Sequence, residues 1–174
     1  NVKTTPLALD AYLSDKAKKL FESNSIYSHS ELEARHEIML EDYIKKVQIE
    51  SRIMGEMATS LVLPPAIRYQ NLLAKNILSL KQVGAPESAY ANQKQILDKI
   101  SEHISKASEL VEKMIEARKI ANNIDSTRTR AITYQSQIKD QFFDQLRYHV
   151  DKLELLVDDK EWYLPKYREM LFLR

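Results

Sequence analysis

Apolar residues recur at steps of three and four through most of this chain, and nowhere alternate with polar ones at the period of two that a half-buried strand requires. The first such unit runs from about Pro6 to Glu22. Pro6 suits a first helical turn, where its missing N–H would be unpaired anyway, and Ser14 is placed to cap a restart if the segment is broken. After the polar connection Asn24, Ser25 and Ser28, a long unit spans about residues 30–63. Its stripe is Leu32, Met39, Leu40, Tyr43, Val47, Met54, Met57, Ala58 and Leu61, thinned in the middle by Glu50 and Ser51. Glu41 to Lys45 and Asp42 to Lys46 are acid-then-base pairs four apart on the outer face, each contributing a few tenths of a kcal/mol.

Pro64-Pro65 removes two backbone donors and disfavours helical geometry at Leu63, a cost to a continuous helix of at least ~3 kcal/mol. The expectation is a kink or tight joint there. A new helix then spans residues 65–83, with Ile67, Leu72, Leu73, Ile77 and Leu80 inside, and Gly84 followed by Pro86 stops it.

From about residue 87 to 122 the spacing is the most regular in the chain. Leu97, Ile100, Ile104, Ala107, Val111, Met114, Arg118 and Ala121 form a heptad seam. Asn122-Asn123 breaks it, Asp125 or Ser126 caps a restart, and a last long helix runs over about 127–157 with Ala131, Ile138, Phe142, Leu146, Val150, Leu153 and Val157 inside. A short connection between long helices predicts an antiparallel hairpin. A short helix over 166–172 ends the chain. The pattern therefore predicts an all-α fold: an elongated antiparallel helical bundle of long amphipathic helices, forming a single helical domain over residues 1–174.

Composition agrees. The 174 residues are long enough to bury a substantial core, and Gly 2 and Pro 5 leave little room for tight turns. With Cys 0 there are no disulfides, thiolate metal sites or cysteine nucleophiles. A net charge of +1 supplies no field to steer the chain to nucleic acid or an anionic membrane. No apolar run approaches the roughly 20 residues of a membrane span, and NVKTTP does not begin a signal peptide, so a cytoplasmic location is expected. The start at Asn1, without methionine, suggests a piece of a longer protein.

Candidate chemistry is sparse. Glu33-x-x-His36 has the spacing that di-iron four-helix proteins use, but such a site needs two of these units and two further inward glutamates, and this chain has one. Ser30-x-x-Glu33 also reads as a capping box, which already occupies Glu33, and His36 on the apolar stripe is expected to be a half-buried histidine with one hydrogen-bond partner. The other histidines, His29, His103 beside Glu102, and His149 two before Asp151, do not repeat the spacing. His149 and Asp151 point about 200° apart on a helix and cannot cooperate directly. No nucleophile elbow, phosphate-cradling loop or dinucleotide fingerprint is present. No catalytic, cofactor-binding or metal-binding residue is therefore assigned. Arg68, Lys75 and Lys81 form an acid-free basic strip, read as a solvated helix side in preference to a docking surface. Trp162, Tyr163 and Tyr167 are expected to cover the bundle, with an interface as the other reading.

Five stretches carry a resemblance: TTPLALDAYLSDKAKKLF (4–21), ELEARHEIMLEDYIKKVQIESR (31–52), LPPAIRYQN (63–71), EKMIEARKIANNI (112–124) and RYHVDKLELLVDDKEWYLPKYREMLF (147–172). Together, and in order, they resemble the C-terminal region of type III glutamine synthetases, the long-subunit bacterial class. The resemblance implies a parent enzyme of nitrogen metabolism that joins glutamate and ammonia with ATP and Mg or Mn, through a γ-glutamyl phosphate. It implies active sites between neighbouring subunits of a homo-oligomer of two stacked hexameric rings. The family's metal- and phosphate-binding motifs lie in its upstream domains and have no counterpart in these residues. The implied role is a helical assembly module whose partners are the upstream catalytic domain and neighbouring subunits. The alternative is a free-standing helical-bundle interaction module.

Overall fold

The structure, a computed structural model, describes residues 2–171, and among them there is no strand. The all-α bundle expected from the sequence holds. In chain order the helices are α1 (Thr5–Leu9), a 3-10 turn (Asp10–Leu13), α2 (Asp15–Ser23), α3 (His29–Met57), a π segment (Ala58–Val62) and α4 (Leu63–Gln82). A 3-10 turn (Glu87–Ala89), α5 (Ala91–Asn122), α6 (Thr127–Thr133), a second π segment (Tyr134–Phe143), α7 (Asp144–Leu156) and α8 (Tyr167–Met170) follow. The chain divides into two compact units, Asn1–Arg52 with Met114–Phe143, and Ile53–Lys113 with Asp144–Arg174.

Several predicted boundaries move, each for a local reason. The first helix is broken: Ser14 is extended at ψ 147, its hydroxyl donates to the Ala11 carbonyl at 2.7 Å, and it caps α2 by accepting from the Ala17 amide. The capping box of α3 lies two residues earlier than Ser30 and Glu33. The Ser28 amide donates to Glu31 Oε2 at 2.8 Å, and the Glu31 amide donates to Ser28 Oγ at 3.4 Å. The sequence SHSELE contains both frames, and the earlier one starts the helix at His29, which then pairs with Glu33 four residues on at 3.1 Å.

At Pro64-Pro65 the helix neither stops nor leaves helical geometry; Leu63 keeps φ -65 and ψ -42. Its N–H reaches back five residues to the Ala58 carbonyl, the bond of a π turn. In a plain α-helix the proline rings would clash with the carbonyls four residues earlier, so widening the turn just before them accommodates both rings. Around this turn Val62 and Ala66 are buried in place of Leu61 and Ile67, and Met57 and Leu72, also expected inside, are exposed, while Ala58, Leu73 and Ile77 are buried as expected. Ser51 does not thin the seam: it is fully buried, with its hydroxyl donating to the Gln48 carbonyl at 2.9 Å.

α4 ends as predicted. Gly84 takes φ 74, its amide donates to Lys81 O and the Ala85 amide to Leu80 O, the paired bonds of a Schellman stop. The α5 seam is buried at Ile100, Ala107, Val111, Met114 and Ala121. Ser126 caps α6 by accepting from the Thr129 amide, and across the turn Tyr134 bonds Asn122, so α5 and α6 form the expected hairpin within the first unit. The long π segment was not anticipated. α8 lies inside the predicted 166–172, of which residue 172 is outside the described residues.

Candidate functional site

Polar side chains inside each unit are where any chemistry would have to reside. In the first unit, α1 runs into the 3-10 turn that presents Asp10, α3 presents His36 and α6 presents Arg128. His36 is buried, with Nε2 3.1 Å from Asp10 Oδ1. Arg128 grips the same carboxylate with Nε at 3.0 and 3.1 Å and Nη2 at 2.7 Å. The fork of Arg128 first, and the His36 bond after it, hold the Asp10 carboxyl below the usual carboxylate range against the opposing pull of burial. His36 thus has the hydrogen-bond partner expected of it, though it is buried and not half-buried. Glu33 is turned instead to His29, so the Glu33–His36 pair does not converge.

Elsewhere in this unit, Gln48 of α3, Asn122 at the end of α5 and Tyr134 at the start of the long π segment close a triangle. Gln48 Nε2 donates to Asn122 Oδ1 at 2.7 Å and to the Tyr134 hydroxyl at 2.9 Å, and that hydroxyl donates to Asn122 Oδ1 at 2.6 Å. Tyr134 is completely buried. Next to it the Tyr43 hydroxyl donates to Gln135 Oε1, whose amide donates to Asp140 at 2.6 Å. Burial, with the charges of Asp140 and Glu50, pushes the Tyr43 phenol up to about 12, so it stays a donor across the physiological range.

The second unit contains a contact that spacing could not reveal. His103 of α5 and His149 of α7, 46 positions apart, place their Nδ1 atoms 2.9 Å from each other. The Tyr148 ring stands edge-on to both imidazoles. Asp151 is indeed no partner of His149; it lies 3.6 Å from Arg147.

Arg68 and Lys81 of the basic strip also find partners within this unit. Arg68 donates to Glu161 at 3.0 Å and lies over the Tyr163 ring, and Lys81 lies 5.4 Å from the Tyr90 ring. Trp162 is buried as expected, Tyr163 is exposed, and the Tyr167 side chain is outside the described residues. Lys166 caps α7 through the Glu154 carbonyl at 2.8 Å and pairs with Asp159 at 2.6 Å.

Chemically, these groups bind one another. Among the described residues no three His, Cys, Asp or Glu side chains converge on a point a metal ion could occupy, and no helix is long and apolar enough to cross a membrane.

Comparison with known proteins gives the lineage. A family model described as the glutamine synthetase C-terminal domain matches residues 1–81. A glutamine synthetase of Bacteroides fragilis (strain YCH46) is 36% identical over 175 residues, covering 99% of this chain and 24% of that protein. The chain belongs to the glutamine synthetase C-terminal domain family. A type-3 glutamine synthetase of Dictyostelium discoideum is 32% identical over 100% of this chain and 24% of its own length. A glutamine synthetase of Butyrivibrio fibrisolvens is 31% identical over 99% of the chain and 24% of its own. The type III resemblance read from the five stretches is thereby borne out, and the family's sequence extends here well past the matched residues 1–81. The chain spans about a quarter of the length of these relatives.

Proposed function

We propose that this chain is the C-terminal helical module of a type III glutamine synthetase and that its work there is structural. It packs against the rest of its subunit and helps fix contacts in a homo-oligomeric double ring, while the parent, a cytoplasmic enzyme, makes glutamine from glutamate and ammonia with ATP and Mg or Mn. Residues outside this segment carry the chemistry; the segment holds no catalytic, cofactor or metal residue. The observation that carries this reading is similarity along the whole chain to relatives four times its length. Its polar groups add support, since those described above are engaged with one another and leave no convergent set for a substrate. Large apolar side chains more than half exposed, Ile38, Ile49 and Ile120 in the first unit and Leu72, Leu78 and Leu155 in the second, offer area for docking at about 25 cal/mol per Å² buried.

The test is truncation of the full-length subunit after Ala85. The expected result is loss of ring assembly or solubility that exceeds any loss in the chemical step per intact site, read by light scattering alongside glutamine formation. An intact double ring with normal turnover would overturn the structural role.

A further inference from the structure

The His103–His149 contact differs from the other side-chain bonds described above because both partners are imidazoles. Two ring nitrogens 2.9 Å apart must share a hydrogen, since two lone pairs or two N–H groups facing each other would repel. In the neutral pair one ring is the Nδ1–H tautomer and donates, and the other is the Nε2–H tautomer and accepts. A first added proton goes to the distant Nε2 of the donor ring, which leaves the Nδ1–H···Nδ1 bond in place and makes it charge-assisted. A second has only the accepting Nδ1 left to take. It removes the acceptor and sets two cations against each other.

The surroundings bear on the second proton. On α5, the Glu102 carboxylate favours charging His149 and the Lys106 ammonium opposes it. On α7, the Tyr148 ring flanks both imidazoles and the Lys152 ammonium lies 5.4 Å from that ring. The Ala58–Val62 segment, which packs on α7, contains no titratable side chain, and α4 reaches this part of α5 through a neutral bond, Gln70 Nε2 to Ser101 Oγ at 2.7 Å. We propose that His103 and His149 form a proton-counting latch between α5 and α7, closed with none or one added proton and opened by the second. Burial first, then His103 and Lys106, hold the His149 imidazole below its ordinary value of 6.5. The sign follows: below that value the unfolded chain takes up a proton that the folded unit resists, so stability of this unit is full above it and declines as pH falls.

Long-range nitrogen–proton spectra of the labelled full chain test the pair directly. At neutral pH one histidine of the two is expected as Nδ1–H and the other as Nε2–H. On acidification from about pH 7 to pH 5, amide-exchange protection on α5 and α7 around the pair should fall after correction for intrinsic rates, by up to about tenfold per pH unit, the limiting slope for one proton excluded from the folded unit. His149→Gln keeps a donor and an acceptor without a titrating group and should abolish most of that fall; His103→Gln serves the same purpose if the first variant does not fold. Identical tautomers on both rings at neutral pH, or an undiminished fall in the glutamine variant, would overturn the latch.

Discussion

The two units solve the same three problems differently. Each contains a π segment, a helix that ends in a left-handed residue, and a polar cross-link to a buried or half-buried histidine. In the second unit the π segment is five residues long and sits against Pro64-Pro65, whereas in the first it is ten residues long with no proline or glycine in it. What the first has instead is a run of buried residues at Tyr134, Ile138 and Phe142, each four apart. A four-residue step overshoots an α-helical turn by about 40°, so two in succession would carry the face well off the core. The wider π turn absorbs that excess. Missing donors account for one segment and side-chain spacing for the other, so one backbone irregularity has two causes.

The sharpest way to break this contrast is Tyr134→Ala. It removes the first buried ring of the run and leaves Gln48 and Asn122 without their shared hydroxyl, so a loss of about 3–5 kcal/mol in chemical denaturation is expected. Tyr134→Phe keeps the ring, should cost about 1–3 kcal/mol, and should leave the π hydrogen bonds intact. If Tyr134→Phe instead returned the segment to α-helix, the hydrogen-bond triangle and not the four-residue spacing would be its cause.

The cross-links come next. Asp10→Ala strips His36 and Arg128 of their common acceptor and should cost about 1–3 kcal/mol at neutral pH. The pH windows of the two units then separate. Asp10 is held below its ordinary 3.8, so its contribution is present above that value and is lost as pH falls through the lower folded value. His149 begins to cost stability already as pH drops through 6.5. Amide exchange at about pH 5 should therefore show the second unit weakened and the first still protected. Simultaneous loss in both would refute the distinction.

How far these features could be read in advance follows from the range of the forces involved. Helix existence, the Gly84 stop, the Ser126 cap and the α5 seam are set by neighbours within about one or two turns, and the sequence displays them. The inner face is misplaced at Leu61 and Ile67, whose neighbours Val62 and Ala66 are buried instead, because a plain α period does not hold through the π turn before Pro64-Pro65; it is in register again at Leu73 and Ile77. The four-residue step from Ile138 to Phe142 falls in the second π segment, but the same step continues to Val150 inside α7, so spacing did not mark the segment, and Tyr134, its first member, reads as any polar-tipped aromatic. The Ser28 and Ser30 caps fit the sequence equally well, and their order was settled in the fold. The His103–His149 contact lies between helices 46 residues apart, where no local pattern reaches.

The proline side of the contrast has its own test. Replacing both Pro64 and Pro65 by alanine restores two donors and should convert Ala58–Val62 to α-helix, with the Leu63 N–H moving from Ala58 O to the carbonyl four residues back. Loss of the buried Pro65 ring and of the restraint prolines place on the unfolded chain should cost about 1–2 kcal/mol. Retention of the π turn in this variant would assign both segments to packing and erase the difference between the units.

The smallest effect concerns the two left-handed helix ends, and its sign differs between them. Ser25 (φ 54) ends α2 with the bonds Ser25 N–H to Glu22 O and Ile26 N–H to Phe21 O, the same pair that Gly84 (φ 74) makes at the end of α4. A side chain in this conformation is strained by about 1–2 kcal/mol, partly offset because glycine loses more entropy on folding. Ser25→Gly should therefore stabilise the chain by about 0.5–1 kcal/mol, while Gly84→Ala should destabilise it by about 1 kcal/mol. A Cβ at Gly84 would meet nothing within 4 Å, so its cost is that of the backbone alone and not of a clash. Thermal melts of the two single variants and the double should show opposite, additive shifts. Equal signs would mean that the first unit tolerates its serine through a contact that the backbone bonds do not account for.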